Sequence, residues 1–188
     1  MRASTRASIS ENPGIQKRGP ADVTALLGAF CFFLSAVEYM VPKPLPFMRL
    51  GIANLPILLA ADLLPLPWYF ALAFVKVFGM SVISGSLFSY IALFSLAGTL
   101  AAALVMRAAR LVPRRFMSAI GVSTLGALAS NAVQIALASA VVFGDAARLI
   151  APPFLATGLV TGALLGVFAE AFSAKSRWYQ NAREFIHG

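Results

Sequence analysis

Between Val23 and Phe172 the chain passes through six long apolar stretches, and the breaks between them carry proline, glycine or arginine. A soluble domain confines its apolar residues to one stripe of a helix or one face of a strand, whereas these runs are apolar on every side. They cover Val23–Val41, Leu50–Leu64, Trp68–Ser86, Phe88–Met106, Met117–Phe143 and Pro152–Phe172. A helix needs about 20 such residues to cross the hydrocarbon core of a bilayer. The expected fold is therefore all-α: a polytopic membrane protein of about six transmembrane helices in one compact bundle. Of the 188 residues, 60% are hydrophobic and 12% charged, against roughly half and a quarter in soluble proteins. One transmembrane domain over 22–173 uses most of this length. Residues 1–21 read as a disordered polar tail and 174–188 as a second tail. The first run starts late and lacks a small-residue cleavage site behind it, so no cleavable signal is expected. The second run is short and little beyond Gly85 divides the third from the fourth, which predicts a bent, tilted or broken helix there.

The formal net charge is +8, and its placement excludes nucleic acid as a partner, because no basic face is interleaved with aromatic residues. Topology explains the cations instead. With the N-terminus inside, the inner segments hold Arg2, Arg6, Lys17, Arg18, Arg107, Arg110, Arg114, Arg115, Lys175, Arg177 and Arg183, while the outer ones hold Lys43, Arg49 and Arg148. Cytoplasmic segments carry the excess of Lys and Arg, so both termini are expected in the cytoplasm of a multi-pass protein of the cell inner membrane.

Polar residues are scarce enough that each needs a reason. Lys76 lies about 12 Å into the third run at 1.5 Å per residue, near mid-bilayer, where a lysine costs a few kcal/mol and faces a partner, a cavity or a ligand. Glu38, near the outer end of the first run, is one available partner and an anionic ligand group is another. Prolines 42, 44 and 46 stiffen the segment between the first two runs, placing Arg49, Gly51 and Asn54 where a lid over a site would stand. In the fifth run Ser130, Asn131 and Gln134 share one helix side, which is expected to line a polar pocket or to bond a neighbouring helix. Gly158, Gly162 and Gly166 recur every fourth residue in the sixth run and Ala25 and Ala29 do so in the first. Such stripes permit close backbone approach, within the chain or to another subunit.

Other chemistries lack their residues. The aspartates are Asp22, Asp62 and Asp145, with no Asp-rich pair to hold Mg²⁺ against a diphosphate. No phosphate-binding glycine loop with a following Lys-Ser/Thr is present. The single histidine, His187, is far from any nucleophile pattern, and the single cysteine, Cys31, makes neither a disulfide framework nor a metal site. No cofactor and no catalysis by this chain alone are expected.

Pro46-Phe-Met-Arg-Leu-Gly-Ile-Ala-Asn54, Ser84-Gly85 with Phe88-Ser89, Ser95 to Gly98, and Gly126-Ala127 with Asn131 and Gln134 resemble the membrane family labelled heptaprenyl diphosphate synthase component I, or Gx transporter family. Ser130 stands where the family is pictured with a histidine, so no proton-handling role is expected there. The family looks like the substrate-binding S-components of energy-coupling factor transporters. That resemblance implies six spans, a lid after the first span, small residues of the first span against a transmembrane coupling subunit, and separate ATPases. The substrate would be small, largely apolar and anionic, such as a quinone or isoprenoid precursor or a flavin-like vitamin, held by Arg49, Asn54, Lys76, Asn131, Gln134 and Glu38. The enzyme label implies instead a non-catalytic membrane partner of a prenyl diphosphate synthase.

Overall fold

The computed structural model describes residues 19–42, 50–113 and 116–187. Among them the chain forms seven α-helices and no strand. α1, Pro20–Met40, opens with proline in its first turn, where the missing N–H costs nothing, and with the Gly19 N–H donating to the Asp22 carboxylate at 2.9 Å. It therefore begins inside the segment read as tail, of which residues 1–18 lie outside the described residues. α2 is Leu55–Leu63, α3 Leu66–Ile83, α4 Tyr90–Ala109, α5 Ala119–Ala138, α6 Ala147–Lys175 and α7 Arg177–His187. Helical segments long and apolar enough to cross a membrane are α1, α3, α4 and the 57-residue stretch Ala119–Lys175, which contains both α5 and α6.

The second apolar run is the exception. Gly51 takes a left-handed φ of 83°, a single 3-10 turn covers Ile52–Asn54, and only then does α2 begin. Nine residues rise about 14 Å, half the ~30 Å of a bilayer core, so this is half a crossing. A helix apolar on every side has to be surrounded, and α2 is: Ile57, Ala60 and Leu63 are fully buried, and it packs against every other helix of the bundle.

The long helices close around it through small residues. α5 sits between α4 and α6. On one side Gly98 of α4 leaves room for Ser130 and Gln134, and Gly126 for Met106. On the other side a Cβ at Gly162 would stand 2.9 Å from the Thr124 Cα, and one at Gly166 would overlap the Ile120 backbone. The glycine stripe of α6 thus faces α5 inside the chain, the first of the two uses expected for Gly158, Gly162 and Gly166. Ala25 and Ala29 lie on the exposed face of α1.

The segment read as a C-terminal tail is largely the helix α7. Tyr179 is buried, and Trp178, Ala182 and Ile186 pack with it on the core, while Arg177, Arg183 and Glu184 face outward.

Candidate functional site

The broken second span leaves a row of backbone N–H groups ahead of α2, and Glu38 from the end of α1 answers them. Its buried carboxylate accepts from the N–H of Leu50 at 2.9 Å, Gly51 at 3.3 Å and Ala53 at 3.2 Å. A negative charge on the amino end of a helix is favoured by the unpaired donors and by the helix dipole. This carboxylate fixes where the break sits, and with it the side chain of Asn54.

Lys76 comes from the middle of α3 and is 7% exposed. Its Nζ donates to the Oδ1 of Asn54 and, at 3.2 Å, to the hydroxyl of Thr99 on α4. Below these groups is a small cavity of about 20 Å³, with room for one water-sized group. Ser35 and Glu38 of α1, Gly51, Ala53 and Asn54 at the break, Lys76 and Met80 of α3, Ser95 and Thr99 of α4, and Ser130 and Gln134 of α5 wall it. Gln134 donates its Nε2 to Ser130 at 2.9 Å. Its Oε1 and the hydroxyl of Ser35 find no hydrogen-bond partner among the described residues, although both are buried. Buried polar atoms left without a partner cost a few kcal/mol each, so both atoms call for something in the cavity.

Of the residues expected to bind a substrate, the structure brings together Glu38, Asn54, Lys76 and Gln134. Asn131 is elsewhere: its Nδ2 donates to the Phe154 carbonyl of α6 at 2.7 Å, in the gap that Gly158 leaves. It therefore ties α5 to α6 and is not among the residues that wall the cavity. Arg49, with Lys43, Pro44 and Pro46, lies outside the described residues. Ser35, Ser95 and Thr99 were not foreseen as site residues. Their signal was present in the spacing, Ser35 with Glu38 three apart and Ser95 with Thr99 four apart, each on one helix side.

At the opposite end of α2 a second polar cluster forms. Arg110 approaches Asp62 at 3.1 Å, and the Tyr179 hydroxyl donates to Asp62 at 3.5 Å and to the Leu59 carbonyl at 3.4 Å. Arg107 donates to the Ala61 carbonyl and lies 5.8 Å from the centre of the Tyr69 ring. Cations at the carboxyl end of a helix meet its unpaired carbonyls and the negative end of its dipole. Among the described residues no three His, Cys, Asp or Glu side chains gather as metal ligands.

Fold and site together define a polytopic helical membrane protein with a buried, charged and polar cavity against a half-length helix. The chain belongs to the heptaprenyl diphosphate synthase component I family, whose model matches residues 27–172. No curated protein and no solved structure matches it.

Proposed function

We propose that this chain is the substrate-binding membrane subunit, S-component-like, of an energy-coupling factor type uptake transporter, and that it captures a small, largely apolar, anionic molecule. One observation carries the reading: a buried lysine shares a cavity with two polar atoms, Gln134 Oε1 and Ser35 Oγ, that the described residues leave unsatisfied. A charge at membrane depth is kept where it meets a ligand or partner, and a cation amid apolar walls suits an acidic or phosphate group on an apolar body. Lys76, Asn54 and Gln134 would contact the ligand, Glu38 would hold the break in place, and Arg49 would supply a second cation for its anionic group.

The exposed Ala25 and Ala29 support docking of α1 on a transmembrane coupling subunit, with separate ATPases supplying energy from the cytoplasmic side of the inner membrane. This chain binds and passes on its ligand without catalysis of its own. Native mass spectrometry of the gently extracted protein tests this. An anionic small molecule should accompany the wild type and be absent from Lys76→Gln. A stable complex with a soluble synthase and no small molecule would overturn the proposal.

That outcome would favour the second reading, which rests on the family's name: a non-catalytic membrane subunit associated with a heptaprenyl diphosphate synthase in isoprenoid or menaquinone biosynthesis.

A further inference from the structure

The polar cavity is too small for the body of any ligand its walls would attract. About 20 Å³ admits one water-sized group, and the packed α2 closes off the interior beyond it. Space exists on the other side of the α3–α4 seam. There an apolar groove of about 380 Å³ runs between α3 and α4, lined by Phe74, Val77, Phe78, Ala92, Leu93 and Leu96. This size lies in the ~300–1,000 Å³ range of ligand pockets. Phe74, Phe78 and Leu93 are each more than half exposed, in helices that cross the membrane, so the groove opens towards lipid.

Cavity and groove meet along consecutive residues of the same two helices. Lys76 and Met80 face the cavity while Val77 and Ser81 face the groove; Ser95 and Thr99 face the cavity while Ala92 and Leu96 face the groove. Lys76 and Ser81 are about 7.5 Å apart along the axis of α3. The Ser81 hydroxyl, 1% exposed, lines the groove with no hydrogen-bond partner among the described residues. An annular lipid chain needs no hydroxyl in the wall beside it, whereas a hydroxyl about 7.5 Å along the helix from a lysine suits the junction between a polar head and its chain.

We infer that the α3–α4 groove is the chain subsite of the same ligand: an amphiphile with one anionic head and one apolar chain, which enters sideways from the bilayer between α3 and α4. The head reaches Lys76 and Asn54 through the seam and the chain lies along Phe74, Phe78 and Leu93. This rests on the reading of the cavity as a ligand site.

The full chain in phosphatidylcholine nanodiscs is exposed to dodecyl phosphate bearing a diazirine at the chain end, with the matching dodecanol as the headless probe. Saturable labelling of residues 74–96 by the phosphate is expected, at least tenfold above the alcohol. It should fall at least tenfold in Ala92→Trp, which fills the groove, and in Lys76→Gln, and persist in Phe78→Ala, which widens it. Equal labelling by the alcohol, or labelling unchanged by Ala92→Trp in a variant that melts like wild type, would overturn the inference. Competition by inorganic phosphate separates the two readings. If it remains Lys76-dependent while Ala92→Trp is silent, the cavity stands and the chain subsite falls; if Lys76→Gln changes nothing, both fall.

Discussion

Lys76 donates to Asn54, and that single hydrogen bond ties the middle of α3 to the break ahead of α2. The cation of one span is thereby registered against the discontinuity of another. Replacing it separates a binding role from a structural one. Lys76→Met keeps the side-chain length and removes the cost of burying a charge, set against about 1–3 kcal/mol for the Asn54 oxygen left without its donor. The melting temperature should stay within a few degrees of wild type, while ligand retained through purification falls about tenfold or more, as expected for a lost charge-assisted hydrogen bond. Unfolding of the variant with no change in ligand per folded molecule would assign Lys76 to stability alone.

Glu38→Gln replaces an acceptor-only carboxylate with an amide that must turn one N–H toward the backbone donors of Leu50, Gly51 and Ala53. The expected cost is about 1–3 kcal/mol. Hydrogen exchange at those three amides should accelerate while exchange in α5 does not. Unchanged protection at all three would show that Glu38 does not hold the break.

Gly166→Val places a branched side chain against the Ile120 backbone, and backbone cannot rotate aside as a side chain can. Overpacking of this kind costs about 1–3 kcal/mol. The loss should appear in the isolated chain, measured by thermal melting in detergent. A variant that melts normally alone but fails to assemble with a partner would restore the glycine face as a docking surface.

Asp62→Asn removes the anion facing Arg110 and Tyr179. Breaking a buried pair costs about 3 kcal/mol at the low end, which applies here because both partners retain slight exposure. Exchange over 177–187 should rise as α7 loosens, and Tyr179→Phe should show a smaller rise. Equal protection in wild type and Asp62→Asn would mean that apolar packing of Trp178, Ala182 and Ile186 holds α7 by itself.

The membrane-helix architecture was legible because a span is written locally. Apolar length, flanking proline and Arg clusters lie within one stretch of chain, and the short second run signalled a bent, tilted or broken helix. What a side chain faces depends on the neighbour, which lies elsewhere in the sequence. Asn131 and Gln134 are three residues apart on one helix, yet α5 is gripped from two sides, so one amide meets α6 and the other the cavity. The glycines of α6 likewise announced a close approach without saying to what. Helix α7 escaped notice for a different reason. Its apolar positions at 178, 179, 182 and 186 keep helical spacing, but eleven residues among charges carry too little hydrophobicity to stand out, and docking on α2 supplies what propensity alone lacks.

The half-length of α2 has a mechanical meaning. Asn54, which caps its start, lines the cavity, and its last residues meet the arginines and α7, with unbroken helix between. A hydrogen-bonded helix this short moves as a strut. A displacement imposed on Asn54 is passed along one turn-by-turn bonded element to Asp62, so the polar cavity and the cluster around Arg110 and α7 are joined by one short lever inside the bundle.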